Sequence, residues 1–153
     1  MDGLNKRLGV DRYSGPCFPK VSNPEISMLD HIGIGVTDFD RSKNFYVHAL
    51  LPLGIDVVME VTAEQTGDHP ACGMGSDGKP YFWLSPGPVA RNHVAFTAKT
   101  RADVDSFYRS AMAAGGTDNG APGLRPHYHA NYYGAFVLDP DGHNIEAVCH
   151  APV

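Results

Sequence analysis

Three residues offer metal chemistry: His31, His93 and Glu146. Each stands in a short alternating run. In LDHIGIGV (29–36), Ile32, Ile34 and Val36 fall on one face of a strand, and His31, Gly33 and Gly35 fall on the other. In RNHVAFTA (91–98), Val94 and Phe96 share a face, opposite His93, Ala95 and Thr97. In HNIEAVC (143–149), Ile145, Ala147 and Cys149 oppose Asn144, Glu146 and Val148. If the apolar faces all meet helices, two imidazoles and one carboxylate point together into the opposite, concave side. A carboxylate between Ile145 and Ala147 is costly to bury alone. A metal or another cation would satisfy it. Two histidines and a carboxylate with open positions form the facial triad of non-haem Fe(II) sites, and a similar set takes Mn, Ni or Zn. Taken singly, each is also compatible with an ordinary satisfied histidine or an acid paired with arginine. The weight lies in three matching faces.

The elements that must position them repeat. DHIGIGVTDFDRSKNFYVHAL from Asp30 aligns with NHVAFTAKTRADVDSFYRSAM from Asn92, an offset of 62, with His31 on His93. A fixed offset marks a duplicated unit. Each copy passes from an alternating strand into a helix. Phe45, Tyr46, Ala49 and Leu50 mark one helical face, which stops near Pro52 and Gly54. Val104, Phe107, Tyr108, Ala111 and Met112 mark the other, which stops at Gly115 and Gly116. The aromatic pairs read as core. Thr37 and Thr100 are N-cap candidates, each with an Asp three residues on.

Three strands are expected after each helix, near 54–61, 70–75 and 79–85, then near 124–129, 133–138 and 143–149. SDGKPYFWLS (76–85) and PDGHNIEAVC (140–149) align at an offset of 64, each with an Asp-Gly hairpin turn. DPDG is read as a turn, not a calcium loop. The expected class is α+β, two βαβββ modules in tandem over 28–88 and 89–150. Residues 1–27, rich in Gly, Pro and polar residues, read as an irregular arm.

Composition bounds the function. The chain has 153 residues, enough for one domain with a proper core, and is 42% hydrophobic and 19% charged. A net charge of -5 without a basic run argues against nucleic acid and anionic membranes as partners. No apolar stretch approaches a membrane span or a signal-peptide core. Three widely spaced cysteines, Cys17, Cys72 and Cys149, suggest neither a disulfide framework nor a zinc knuckle, and point to a reducing, cytoplasmic location.

LDHIGIGVTDFDRSKNFY (29–46) and GAFVLDPDGHNIEAV (134–148) resemble the opening and closing motifs of the vicinal oxygen chelate superfamily. This group includes glyoxalase I, extradiol dioxygenases, fosfomycin-resistance transferases and bleomycin-resistance proteins. The resemblance spans about 28–150. It implies a glyoxalase-like half-barrel of mixed β-sheet with the helices outside. It implies a divalent metal (Fe, Mn, Ni or Zn) on His31, His93 and Glu146 that chelates two adjacent oxygens of a small substrate. The superfamily supports many reactions on one scaffold.

Two departures bear on the reaction. Glyoxalase I has a fourth ligand, a carboxylate in the first module symmetric with Glu146. The offset of 64 puts Phe82 there, with Tyr81 and Trp83 beside it. The extradiol closing pattern fits His129, Asp139-Pro140, Gly142 and Glu146, but Phe136 stands where a tyrosine is expected. RPHYHANYY (125–133) supplies the remaining chemistry. His127 and His129 share one face if the run is a strand, and either could shuttle protons beside a metal-held diolate. Tyr132 or Tyr133 could position substrate. Arg125 could take an anionic group, or simply be a surface residue.

The expectation is a metal-dependent lyase or dioxygenase acting on a small oxygenated molecule. The alternative is a metal-free sequestration protein of the bleomycin-resistance type, with Tyr81, Phe82 and Trp83 lining a pocket for a flat ligand. Thiol transfer to an epoxide antibiotic shares the three-ligand set, but RPHYHANYY does not suit it. A homodimer is expected, with the modules closing a site within one chain or between two.

Overall fold

The computed structural model describes residues 29–152, so the expected arm at 1–27, with Cys17, lies outside the described residues. Module one contains β1 (Ile32–Val36), α1 (Phe39–Leu50), β2 (Asp56–Val61), a one-turn α2 (Ala63–Thr66), β3 (Ala71–Ser76) and β4 (Lys79–Pro86). Module two contains β5 (His93–Thr97), α3 (Arg101–Ala113), β6 (Thr117–Leu124), β7 (Tyr133–Leu138) and β8 (Asn144–Cys149). Each module forms a four-stranded mixed sheet of the same order, β1-β4-β3-β2 and β5-β8-β7-β6. The first strand runs parallel to the last, and the other pairs are antiparallel. This is the tandem βαβββ architecture of an open α+β half-barrel.

The apolar faces read from the sequence do build the core. Ile34, Val36, Phe96, Ile145, Ala147 and Cys149 are buried under the helices, together with Phe45, Tyr46 and Phe107. An edge-to-face chain joins the modules: Phe45–Tyr46 at 5.0 Å, Tyr46–Phe82 at 5.0 Å and Phe82–Phe96 at 5.2 Å. The helix aromatics are therefore packing groups. Cys72 and Cys149 are buried free thiols. Among the described residues no helix is long and apolar enough to cross a membrane.

Three local expectations are corrected. The strand expected near 124–129 is a turn, and β6 lies earlier, at Thr117–Leu124. Its sequence, TDNGAPGL, hides the strand: two glycines and a proline interrupt any alternation, and its register against β7 shifts twice. The N-cap of α1 is Asp38, whose side chain accepts from the Arg41 N–H at 3.0 Å. Thr37 is bonded elsewhere, to Asp141. Thr100 does cap α3, in a capping box with Asp103. Finally, strand register pairs Ile32 with Phe82 and Val94 with Ile145. The counterpart of Phe82 is then Ile145, and that of Glu146 is Trp83. Phe82 faces the core, whereas the Trp83 indole lies across Gly73, where a Cβ would come within 2.8 Å of it. No carboxylate occupies the symmetric position in either alignment.

The DPDGH turn fastens the modules together. Asp139 Oδ2 accepts from the Tyr46 hydroxyl at 2.7 Å, and Oδ1 accepts from the N–H groups of Asp141 (3.0 Å) and His143 (2.7 Å). His143, fully buried, accepts from the Asn92 N–H and donates through Nε2 to the Gly35 carbonyl at 3.1 Å. Asp141 accepts from the Thr37 N–H and hydroxyl and from Ser42 at the start of α1. Burial first, then the charge of Asp139, pushes the Tyr46 phenol well above its ordinary value. A raised folded pKa stabilises below the unfolded value of about 10 and is lost as pH rises above it. Tyr46→Phe should therefore leave the phenolate absorbance titration unchanged below about pH 10 and reduce the steepness of alkaline unfolding. A phenolate lost from the lower range would show instead that Tyr46 is open to solvent.

Candidate metal centre

His93 and Glu146 meet on the concave face of module two. Parallel pairing of β5 with β8 sets Ala95 opposite Glu146 and His93 opposite Asn144. His93 Nε2 stands 3.1 Å from Glu146 Oε2. Glu146 is 2% exposed although its side chain lies on the face opposite the buried Ile145 and Ala147. The other carboxylate oxygen, Oε1, accepts from the Tyr132 hydroxyl.

The hydrogen bonds fix what His93 can do. Its Nδ1 lies 3.1 Å from the Asn144 carbonyl, an acceptor only, so Nδ1 carries the proton. Nε2 then faces a carboxylate oxygen, and in the neutral ring it turns a lone pair toward it. Two acceptors at 3.1 Å call for a proton or a cation between them. Two ligands each about 2.1 Å from one ion, at a right angle, stand about 3.0 Å apart. The pair therefore fits a divalent metal in distance, donor type and orientation, with Asn144 fixing the ring as outer partners of ligating histidines do.

His31 is prepared in the same way but stands apart. Its Nδ1 donates to Asp30 Oδ1 at 2.8 Å, so Nε2 is the nitrogen left for a ligand role. Asp30 also accepts from Lys79 Nζ at 2.8 Å, and these two bonds hold its carboxyl down at about 2. His31 and His93 both line a cavity of about 860 Å³ between the modules, with Tyr81, Phe82, Phe96 and Lys99 on its walls. Among the described residues, however, no three His, Cys, Asp or Glu side chains come within common reach of a metal ion.

The aromatic run lies beside Glu146. Residues 125–132 form a tight turn closed by the Arg125 N–H donating to the Tyr132 carbonyl at 2.7 Å. Rings stack along it: His127–Tyr128 at 4.2 Å, Tyr128–Tyr132 at 5.1 Å and Tyr132–His150 at 5.1 Å, with His129 6.1 Å from His150. Because this is a turn, strand alternation does not order His127 and His129. His129 Nδ1 accepts from the Asn131 N–H, so its proton sits on Nε2. Partial burial, and the bond to Glu146, push the Tyr132 phenol up to about 12.

Tyr133 is not brought to this face. Its hydroxyl donates to Asp105 on α3 at 2.8 Å, and Arg101 lies over its ring. Arg125 bonds the carbonyls of Ala121 and Leu124 and lies 5.7 Å over Phe136. Phe136, cross-strand from Glu146, stacks with His93 at 6.3 Å. Asp30, His150 and the role of the Asn144 backbone carbonyl escaped the sequence reading. Continuing the alternation of 144, 146 and 148 one step past the end of β8 is the signal that could have found His150.

Residues 28–147 match the family model described as the Glyoxalase/Bleomycin resistance protein/Dioxygenase superfamily. Similar solved structures include a glyoxalase/bleomycin resistance protein from Albidiferax ferrireducens T118, at 28% identity over 82% of this chain and 100% of that one, with a TM-score of 0.66. A glyoxalase-related enzyme from Fulvimarina pelagi is 18% identical over 81% of this chain and 88% of its own, TM-score 0.60. A glyoxalase I mutant from Zea mays is 19% identical over 78% of this chain and 43% of its own, TM-score 0.58. No curated protein matches.

Proposed function

The chain belongs to the glyoxalase/bleomycin resistance protein/dioxygenase superfamily, and from that premise we propose that it is a divalent-metal-dependent enzyme of the lyase or dioxygenase type. Its substrate would be a small oxygenated molecule held through adjacent oxygens. The observation that carries this reading is His93 Nε2 standing 3.1 Å from Oε2 of the buried Glu146 carboxylate, with the ring's Nδ1 engaged by the Asn144 carbonyl. His93 and Glu146 would hold the metal, with Fe, Mn, Ni or Zn compatible with the donors. His31 would be the third ligand.

Assembly enters here. Within the sheets β1 pairs only with β4 and β5 only with β8, so each sheet ends on an open edge. A second copy of the chain covering these edges would bury them and bring a His31 to the His93–Glu146 pair. The proposed protein is thus a homodimer.

A bound divalent ion supplies Lewis-acid polarisation of the chelated oxygens. The residues around it have separate tasks. His127 or His129, on the turn beside Glu146, would give and take the proton, at Nε2 in the case of His129. Phe136, with the Arg125 guanidinium over its ring, would flank the half-exposed His93 on one side and leave the other open to substrate.

The test is metal content. Protein purified without chelator or histidine-affinity resin should carry about one Fe, Mn, Ni or Zn per chain, and His93→Ala should lose it. No metal in the wild type after reloading with each ion would overturn the reading. The second reading would then stand, a metal-free binder of flat molecules, for which Tyr81 and Phe82 on the cavity wall are the supporting observation, with Trp83 not among the lining residues.

A further inference from the structure

Glu146 has two oxygens, and the structure treats them differently. Oε2 faces His93 Nε2, while Oε1 is taken by the Tyr132 hydroxyl. We propose that Tyr132 is the positioning residue for Glu146: it holds Oε1 so that Oε2 alone is offered to a metal. This rests on the metal reading above and goes beyond it. A carboxylate bound through both oxygens would fill two positions of the ion. One bound through a single oxygen leaves a further position for a substrate that binds through two.

The surroundings fit a held ring. Tyr128 and His150 each pack edge-on to Tyr132, at 5.1 Å and interplanar angles of 63° and 87°. The backbone is pinned on both sides, by the Arg125 N–H donating to the Tyr132 carbonyl and the Tyr132 N–H donating to the His129 carbonyl at 3.0 Å. Gly134 leaves the space for the contact. A Cβ there would stand 3.0 Å from Glu146 Oε1 and 3.1 Å from Tyr132 Cε1. A tyrosine serving substrate would aim its hydroxyl into the open concave side. This one is committed to the carboxylate.

The experiment loads the full chain with Co(II) and compares wild type, Tyr132→Phe and Gly134→Ala. Affinity, visible ligand-field spectrum and melting of the metal-free protein are read for each. Tyr132→Phe keeps the stacked ring, so its metal-free melting should stay near wild type. Its Co(II) affinity should fall roughly 10- to 100-fold, the usual loss for an outer partner of a ligand. The ligand-field bands should weaken as the freed Oε1 joins the ion and coordination number rises. Gly134→Ala, which wedges the pair apart, should show the same spectral change. Affinity within about twofold and superimposable spectra in all three proteins would overturn the clamp and leave the metal site standing. Failure of the wild type to bind Co(II) at all would overturn both.

Discussion

Glu146→Gln loses two to three orders of magnitude of divalent-metal affinity while the metal-free protein becomes no less stable. The first half follows from ligand number. Structural zinc sites with four protein ligands bind with about 10–16 kcal/mol, or about 2.5–4 kcal/mol per ligand, a factor of roughly 10² to 10³. The second half follows from burial. Glu146 is 2% exposed. Without a metal, its charge faces one hydroxyl donor and, where the ring is neutral, one imidazole lone pair. A glutamine keeps the Oε1 acceptor for Tyr132, can donate from its amide to His93 Nε2, and removes a buried charge whose desolvation is expensive. An ordinary structural acid would behave in the opposite way, because its loss orphans a partner cation. Isothermal titration with Zn(II) and Mn(II), alongside melting of metal-free wild type and variant, separates the cases. A variant that melts markedly lower and binds metal as well as wild type would assign Glu146 to the fold.

The two halves of this prediction draw on different levels of legibility. That Glu146 points away from the core could be read from HNIEAVC, because a strand's faces alternate whatever lies around it. That His93 shares this face was legible for the same reason. Which module-one residue mirrors Glu146 was not. Matching the Asp-Gly turns gives an offset of 64 and selects Phe82, whereas pairing in the sheets selects Trp83. Strand register is set by neighbours, and the β3–β4 pairing shifts between Met74 and Gly75 near the first turn. Such irregularities change the count of residues without changing the pattern. β6 was hidden for a related reason: TDNGAPGL becomes a strand by pairing with β7, against its own propensity. In the proposed dimer the assembled position of His31 depends on the second copy, and its own strand says only that it faces the same way as His93.

Asp139→Ala costs roughly 3–5 kcal/mol of unfolding free energy, a third or more of what a domain this size commonly has. Three donors converge on this 5%-exposed carboxylate, the Tyr46 hydroxyl and the N–H groups of Asp141 and His143. Tyr46 and His143 are fully buried, so the donors left behind in the variant cannot all reach water. Each orphaned group costs about 1–3 kcal/mol. Adding Tyr46→Phe to Asp139→Ala removes one orphan, so the double variant should unfold at higher urea than the sum of the single losses requires. Asp141→Ala, on the more open side of the same turn, should cost only about 1 kcal/mol. The damage in Asp139→Ala should also reach the metal centre. His143 binds the Asn92 N–H, Asn144 donates to the Asn92 carbonyl at 2.8 Å, and His93 follows directly in β5. The turn that locks the modules is thus one residue from the strand pairing that sets His93 beside Glu146. Urea unfolding and metal titration of the same samples should therefore move together for Asp139→Ala, in contrast to Glu146→Gln. A loss below about 1 kcal/mol would mean that the three donors find other partners, and that the modules are held by their aromatic core alone.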